Sequence, residues 1–560
     1  MSARFRRSVA PALAVVLLAL TCAAPAGAQG TATAVQGSST AASPTQETLP
    51  GGLIRPGRTD VAPAGRTRTA QEVLAIAQRV PKVRAAERER ARGGRFTREA
   101  YLKEPGRWQV SYIVDRDGVR TEIAQVLIDD LSGAVLEAWT GYQVPWTMAR
   151  GYSGAFGRGV NSPWVWLPLC VLFAVPFIDI RNPWRLRHLD LLVLTGFSVA
   201  LAFFNAAKIG ISTPLVVPLL VYLLARMLHI GLSRRDPAEE ARRPLALLVP
   251  VSWLAIATVF LIGFRVGLNV TDSNVIDVGY AGVIGADRIT GGEPLYGGFP
   301  DDNEHGDTYG PVNYLAYVPF EQLMPWKGTW DDLPAAHGAA LLFDLLVVAL
   351  LFLLGRRIRG PGTGVVLAYT WVAFPFSLFV SNTNANDALP AALVLAALLA
   401  LRHPIGRGVL IALAGLTKFA PLALVPLFAR AKGSTTRFAL GFVVTAAVAS
   451  IPIFLGGGTL REFWDATIGY QADRGSPFSI YGLWGGLDWL RVIVQIATVA
   501  LGIAVAFVPR RRDVVGLAAL AAAVLIAVQL SLSYWFFLYI AWVAPLVFIA
   551  LLCREGEPVR

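Results

Sequence analysis

The chain has few of the charged residues in which soluble proteins are rich. Charged residues make up 16% of its 560 residues, apolar residues make up 54%, and the mean hydropathy is +0.52. Soluble globular proteins average roughly 25% charged residues, so this composition indicates an integral membrane protein. A bilayer core needs roughly 20 apolar residues per helix, and many such runs follow Ser162.

Cysteine is also scarce, with three residues in the whole chain. Cys22, Cys170 and Cys553 all lie in or beside apolar runs, so no disulfide framework is predicted. Acidic residues are outnumbered, 38 against 50 Lys and Arg, which gives a net charge of +12. The arginines lie mostly in short loops between apolar runs, where positive charge orients helices, so nucleic acid is not an expected partner.

The first residues are typical of a secretory signal. Three arginines between positions 4 and 7 precede the apolar run VAPALAVVLLAL, and Ala26-Gly27-Ala28 follows it. We expect a signal peptide over 1–28, with an uncleaved anchor helix as the alternative and export of the following segment in either case. Residues 29–68 are rich in Ala, Thr, Ser, Gly and Pro, which predicts a flexible linker.

Residues 69–150 predict a small exported α+β module. The stretch AQEVLAIAQRVPKV has apolar residues at helical spacing, whereas RWQVSYIVDRDG and EIAQVLIDDLSGAVLEAW alternate like paired strands with Asp-Gly and Ser-Gly turns. The helix residues LAIAQ, the turn at Asp117-Gly118 and DDLSG before an apolar strand together resemble a PepSY domain. That resemblance implies a binding or regulatory accessory without catalysis.

Residues 163–560 predict a mainly α, multi-pass membrane domain. Roughly eleven spans are expected, at about 163–180, 189–207, 211–231, 244–263, 335–355, 364–380, 386–402, 437–455, 488–508, 514–531 and 534–552. With the arginine-rich loops in the cytoplasm, the N-terminal module is extracytoplasmic and the C-terminus cytoplasmic. Val409–Phe428 has positive loops at both ends, so we expect a re-entrant segment broken around Lys418 and Pro421.

Two long loops, at about 264–334 and 456–487, are expected on the outer face. Between Phe264 and Val312 eight acidic residues face only two arginines and one histidine. Asp272 and Asp277 follow the fourth predicted span closely, where partial desolvation raises the pKa of a carboxylate toward that of a general base. An ordinary solvated loop is the alternative interpretation.

The same loop contains a dense acidic cluster, DDNEHGD. Asp301, Asp302 and Asp307 offer the carboxylate oxygens that hard divalent cations such as Mg or Mn prefer. The spacing does not match an EF-hand loop. A divalent cation is therefore the one cofactor that this pattern suggests.

Isolated cations are expected near the outer half of the membrane. Lys418 lies at the break of the predicted re-entrant segment, and Arg474 lies in YQADRGSPFSIYG. An ionisable group at membrane depth is costly and marks a candidate site, so each is expected to pair with a lipid phosphate or with a loop aspartate. In SNTNANDALPAALV the residues Asn384, Asn386 and Asp387 either cap a helix or hydrogen-bond to a sugar.

Five motifs follow one another in the second half of the chain. They are the segment from Asp277 to Tyr296 ending in GGEPLY, then TYGPVNYLAYVPFE, SNTNANDALPAALV, LTKFAPLALVPLF and YQADRGSPFSIYG. Together they resemble glycosyltransferase family 87, within the GT-C superfamily, from about residue 250. The resemblance implies transfer of a hexose, often mannose, from a polyprenyl-phosphate donor to a glycan or lipid acceptor of the cell envelope, on the outer face.

The resemblance also implies roles for particular residues. An outer-loop aspartate acts as the base, and Asp277 matches that position, with Asp272 as the alternative. The lipid phosphate is expected at Lys418, Arg474 and Arg288. The residues expected to contact substrate are Tyr280, Tyr296, Tyr309, Asn384, Asn386, Asp387 and Gln471. Two features depart from the family pattern, the long run GGFPDDNEHGD and the glycine at position 310.

Two other classes of function remain open from the residues alone. Re-entrant half-helices and intramembrane polar residues also form ion sites in secondary transporters, although no internal repeat is detected and the polar residues concentrate in the predicted outer loops. A membrane sensor or assembly scaffold that uses the exported module is the second alternative.

Overall fold

The computed structural model describes residues 48–49, 53–90, 95–116, 118–151, 156–233, 236–240, 242–508, 513–556 and 558. The predicted signal peptide and the predicted linker up to residue 47 lie outside these residues. The chain divides into two compact units, an N-terminal module within Ala26–Tyr152 and a membrane domain within Ser153–Phe204 and Ile209–Arg560.

The N-terminal module contains a six-stranded antiparallel sheet whose strands follow the chain order. The strands are β1 Thr48–Leu49, β2 Leu53–Ile54, β3 Arg95–Lys103, β4 Arg107–Arg116, β5 Val119–Asp129 and β6 Val135–Thr140. Helices α1 Ala70–Gln78 and α2 Pro81–Arg90 share a hydrophobic core with β3 to β6. The predicted α+β class is confirmed, and the resemblance to a PepSY domain stays a prediction.

Local sequence signals account for most of this module. Helix α1 begins with a capping box, in which Thr69 and Glu72 each accept a hydrogen bond from the other's backbone N–H. The turn before β6 follows from Asp129, which accepts hydrogen bonds from Ser132, and from Gly133 at a φ of +70°. Sequence analysis missed β3, because its segment RFTREAYLK carries charges that obscure the alternation.

The membrane domain is built from α-helices. Its helices are α3 Pro163–Ala174, α4 Leu186–Asn205, α5 Ile209–Gly231, α6 Pro237–Glu240, α7 Val251–Thr271, α8 Asp277–Gly291, α9 Pro311–Leu315, α10 Val318–Leu323, α11 Pro334–Arg359, α12 Pro361–Ala373, α13 Pro375–Asn382, α14 Ala388–Leu399, α15 Pro404–Thr417, α16 Val425–Ala429, α17 Thr435–Ala449, α18 Leu460–Trp464, α19 Tyr470–Asp473, α20 Ile480–Leu483, α21 Asp488–Phe507, α22 Val514–Ser531 and α23 Ile540–Leu552. A mainly α membrane protein is therefore confirmed.

Within the described residues, seven helices are long and apolar enough to cross a membrane. They are α4, α5, α7, α11, α21, α22 and the segment Thr435–Gly457, which includes α17. Helices α12 and α13 form a pair bent by 59° that would make an eighth span. The remaining three predicted crossings fall on the shorter apolar helices Pro163–Phe177, Ala388–Leu399 and Phe537–Leu552, so the total of eleven stays a prediction.

The fourth long helix differs from its predicted range of 244–263. Helix α7 starts after Pro250 and continues to Thr271, through Arg265 and Asn269. These two polar residues are compatible with the helix because both are buried and hydrogen-bonded inside the protein. The helix therefore ends directly before Asp272, much closer to the acidic loop than predicted.

The predicted break at Lys418 is present. Helix α15 ends at Thr417, Lys418 has extended backbone angles, and a 3₁₀ turn at Ala420–Leu424 leads into α16. Proline at position 421 has no N–H to donate, which disfavours a continuous α-helix there. The chain reversal that a re-entrant segment requires stays a prediction.

Candidate functional site

A cavity of about 240 Å³ lies in the membrane domain beside the break at Lys418. Most of its wall is apolar, with contributions from the break and from helices α21 and α22. The polar side chains on its wall that bear on its chemistry are Tyr309, Lys418, Gln471, Arg491, Gln495 and Tyr534. A mainly apolar cavity with a few polar groups fits an amphipathic ligand.

Lys418 is held on this wall by an ion pair. Its Nζ lies 2.5 Å from Oδ1 of Asp387, which also accepts a hydrogen bond of 2.7 Å from Nε1 of Trp542. The ammonium also lies 5.3 Å from the ring centre of Trp542, 5.4 Å from that of Tyr309 and 5.8 Å from that of Tyr539. Of the two partners left open by the sequence, the aspartate is therefore the one that the structure places on Lys418.

The ion pair is not saturated. Asp387 is fully buried, and its second oxygen, Oδ2, has no hydrogen-bond partner. A buried carboxylate oxygen without a donor is costly. An ion pair that serves stability alone would have all its polar atoms bonded within the protein. This pair differs, because Oδ2 lacks a partner and Lys418 lies on the cavity wall.

Gly310 brings the Tyr309 ring to Lys418. Its N–H donates a hydrogen bond of 3.3 Å to the carbonyl of Thr417, the residue before Lys418. A Cβ at position 310 would lie 2.0 Å from the carbonyl oxygen of Leu416, closer than any side chain could come. The glycine that departs from the family pattern thus permits the close approach of two chain segments.

Asp277 is positioned by a backbone contact between distant segments. The N–H groups of Asn274 and Ile276 donate to the carbonyls of Asn382 and Thr383, at 3.2 and 3.1 Å. Helix α8 begins at Asp277 directly after this contact. The residues that precede Asp277 and those that precede Asp387 are therefore held side by side.

The carboxyl group of Asp277 is perturbed by nearby protein atoms and charges. Its side chain is exposed to solvent, but protein atoms lie close around its carboxyl group. Burial among these atoms raises the pKa of its carboxyl above the usual range, while the N–H of Val278 and the charges of Arg474 and Lys418 act in the opposite direction. The structure thus brings the predicted base within the electrostatic influence of two predicted phosphate ligands.

The guanidinium of Arg474 packs against two tyrosine rings. It lies 3.9 Å from the ring centre of Tyr534 and 5.5 Å from that of Tyr470. Such cation–π contacts hold the planar guanidinium in place without neutralising its charge. Gln471, one residue after Tyr470, contributes directly to the cavity wall.

The two predicted asparagines lie behind the site rather than on the cavity wall. Asn384, at a φ of +51°, donates from its amide to Ser273 and to the carbonyl of Asn274. Asn386 donates to Oδ1 of Asn313 at 2.5 Å, and both side chains are fully buried. Their observed contacts fix the backbone around Asp277 and Asp387.

Tyr280 and Tyr296 are also placed away from the cavity wall. The ring of Tyr280 packs against Trp326 and Trp330, and its hydroxyl lies 3.4 Å from Asp302. Tyr296 donates 3.0 Å to the carbonyl of Tyr309 and so supports that residue from behind.

The other predicted catalytic and phosphate residues are not brought to the cavity. Asp272 follows the last residue of α7, is exposed, and approaches Gly159. Arg288 lies 3.5 Å from Glu293 and packs over the ring of Phe299. Neither contributes to the cavity wall, and of the other predicted catalytic and phosphate residues only Lys418 does, whereas Asp277 and Arg474 do not line it.

The structure does not support the predicted metal site. Asp307 is buried and accepts a hydrogen bond of 2.8 Å from the N–H of Gly297, whereas Asp302 lies at Tyr280. In the part of the chain that the structure describes, no three His, Cys, Asp or Glu side chains converge as metal ligands would. Asp301, Asp302 and Asp307 are therefore close in sequence without forming a three-carboxylate group.

Three polar residues of the cavity were not predicted from the sequence, Tyr534 and the pair Arg491 and Gln495. The last two lie four residues apart on α21, so they share one face of that helix. The signal was present in DWLRVIVQIATVAL, where a cation and an amide interrupt the first half of an apolar span. Both residues lie within a run that is apolar on average, so hydropathy alone predicts a span there and does not single them out.

Part of the chain is similar to a known protein family. The model of glycosyltransferase family 87 matches residues 308–533, which include Tyr309, Asp387, Lys418 and Arg474. No curated protein and no solved structure matches the chain. Asp277 lies ahead of the matched segment.

Proposed function

We propose, from the premise that residues 308–533 make this chain a membrane glycosyltransferase of family 87, that it transfers a hexose from a polyprenyl-phosphate donor. Mannose is the sugar that we expect first. The acceptor is a glycan or lipid of the cell envelope, and the reaction takes place on the outer face of the cell membrane.

One observation carries this proposal: Lys418 lies on the wall of a mainly apolar cavity, pairs with Asp387, and exerts an electrostatic influence on Asp277, as Arg474 also does. The chain brings these residues together from positions 277 to 474, and the electrostatic influence of Lys418, Asp387 and Arg474 extends to Asp277. A carboxylate for an acceptor hydroxyl, cations for a phosphate and apolar walls for a lipid chain are the groups that this transfer requires.

In the proposed mechanism Asp277 acts as general base. Its carboxylate accepts the proton of the acceptor hydroxyl while that oxygen attacks the anomeric carbon of the sugar. The bond between the anomeric carbon and the phosphate oxygen breaks, and the electron pair leaves with the lipid phosphate. The sugar passes through an oxocarbenium-like state of the kind known for glycosidic bonds.

Lys418 and Arg474 supply positive charge to this step. The leaving phosphate gains negative charge as its bond to the sugar breaks, so fixed cations nearby stabilise the transition state more than the ground state. The Asp387 carboxylate and the surrounding rings hold Lys418 in a single position, which avoids the cost of orienting it during the reaction.

The test is transfer of labelled hexose by the full-length protein in lipid nanodiscs. Polyprenyl-phosphate mannose and polyprenyl-phosphate glucose serve as donors, and envelope glycolipids serve as acceptors. We expect Asp277→Asn to lower turnover by about 10²–10⁴-fold, the usual contribution of a general base, with an unchanged melting temperature. Asp272→Asn is the matched control and should keep near-normal turnover, since the Asp272 carboxylate lies against Gly159.

Two results would count against the proposal. Near-normal turnover in Asp277→Asn would remove that residue from the mechanism, and loss in Asp272→Asn instead would transfer the role to Asp272. Transfer from a nucleotide sugar, with none from polyprenyl donors, would overturn the donor assignment.

A further inference from the structure

Arg491 is an unsatisfied cation on the cavity wall. Its side chain is half-buried, and its Nε is buried without a hydrogen-bond acceptor. In the described part of the chain its guanidinium makes neither a hydrogen bond nor an ion pair. An arginine in a helix long and apolar enough to span a membrane is costly to leave unpaired, so its position favours an anion from outside the protein.

Helix α21 places this arginine between lipid and cavity. Arg491 and Gln495 line the cavity from one face of the helix. On other faces Trp489, Ile493 and Ile496 are 62%, 53% and 64% exposed. In a membrane these apolar side chains contact lipid, so α21 forms a wall with lipid outside and a polar pair inside.

The other two cations of the site already have close partners. Lys418 is paired with Asp387, and Arg474 lies against two tyrosine rings. Arg491 offers its fork of N–H donors without such competition, and the Gln495 amide lies one helical turn further along. A phosphate at Arg491 would satisfy the guanidinium, while an attached apolar chain would find apolar walls around it.

We propose that Arg491 and Gln495 bind the phosphate of the lipid carrier, with the carrier's apolar chain along the cavity wall formed by α21. This assignment rests on the proposed function, because it takes the carrier to be a polyprenyl phosphate. After transfer the carrier phosphate is a monoester with a greater negative charge than the diester donor. Arg491 therefore binds the spent carrier at least as strongly as the sugar-loaded one.

The test measures binding of polyprenyl phosphate, without sugar, to the full-length protein in neutral-lipid nanodiscs. We expect Arg491→Gln to weaken binding by about tenfold or more, the loss expected for a charge-assisted hydrogen bond. Gln495→Leu should weaken it less, and Arg491→Lys should restore part of it. Arg461→Gln is the matched control, because Arg461 belongs to α18 and its side chain is 91% exposed.

Neutral polyprenol is the companion probe. Arg491→Gln should bind polyprenol as the wild type does, which also shows that the variant is folded. Binding of polyprenyl phosphate unchanged in both Arg491→Gln and Gln495→Leu would overturn the proposal. So would equal competition by phosphatidylglycerol, since the site would then hold an ordinary anionic membrane lipid.

The two proposals fail in different ways. Phosphate binding that depends on Arg491, without any sugar transfer from polyprenyl donors, would remove the proposed function and keep a lipid-phosphate site. The opposite result is sugar transfer from a polyprenyl donor with the same KM and turnover in Arg491→Gln as in the wild type. That result would keep the proposed function and remove Arg491 from it.

Discussion

Two of the ion pairs among the described residues of the membrane domain are closely buried, equal in length and different in character. Arg265 on α7 and Asp344 on α11 approach to 2.5 Å, and Lys418 and Asp387 approach to the same distance. In the first pair the guanidinium also donates to Ser377 and to the carbonyl of Val372, and both Asp344 oxygens accept hydrogen bonds. The first pair is thus fully satisfied within the protein.

The second pair leaves groups available. Oδ2 of Asp387 has no hydrogen-bond partner, and Lys418 lies on the cavity wall. A buried ion pair contributes little net stability, because desolvation offsets the attraction, but removing one partner leaves an uncompensated charge. Complete hydrogen bonding of the charged groups, rather than burial or distance, therefore separates a structural ion pair from one placed to act on a ligand.

The largest expected effect on stability comes from breaking the satisfied pair. Asp344→Asn leaves the Arg265 cation buried among α7, α11 and α12, and we expect a loss of about 3–5 kcal/mol in the free energy of unfolding. The melting temperature in detergent and the yield of monodisperse protein measure this loss. A stable variant with reduced turnover would contradict the structural interpretation of this pair.

The corresponding change at the cavity should affect activity more than stability. In Asp387→Asn the amide oxygen still accepts from Trp542, and Lys418 keeps its aromatic contacts and access to the cavity. We expect a stability loss of about 1.5–3 kcal/mol, the contribution of one charged hydrogen bond. Turnover per folded molecule should fall by about tenfold or more, because Lys418 is no longer fixed.

Measurement of both carboxylate variants in one nanodisc preparation sharpens the contrast. Turnover normalised to folded protein should be near normal for Asp344→Asn and reduced for Asp387→Asn. Equal ratios of activity to stability in the two variants would show that the pairs have the same role.

Sequence patterns predicted the parts of the fold that depend on local chemistry. Long apolar runs predicted the spans, and the cation and proline in LTKFAPLALVPLF predicted the break after Thr417. The start of α7 was placed too early because the apolar run continues through Pro250. Its extension through Arg265 and Asn269 depends on partners more than 70 residues away, which no local pattern reveals.

The candidate site shows the same limit. Residue type and position identified Asp277, Lys418, Arg474 and Gln471 singly, but their convergence depends on tertiary contacts such as those of Asn274 and Ile276 with residues 382 and 383. Arg491 was missed because hydropathy averages over a span and hides one cation. The metal site at Asp301, Asp302 and Asp307 stays a prediction, because closeness in sequence does not make side chains converge and no three ligand side chains do so among the described residues.

The smallest expected effect concerns the electrostatic link between Arg474 and Asp277. The charge of Arg474 lowers the Asp277 pKa against the raising effect of burial. Arg474→Gln should therefore raise that pKa further. Because a general base acts in its deprotonated form, activity falls as pH drops through this pKa, and the acid limb of kcat/KM should move to higher pH in the variant.

Arg288→Gln is the control, since Arg288 lies against Glu293, and its acid limb should stay with that of the wild type. An acid limb unmoved in Arg474→Gln would separate Arg474 from the base and confine its role to its contacts with Tyr470 and Tyr534.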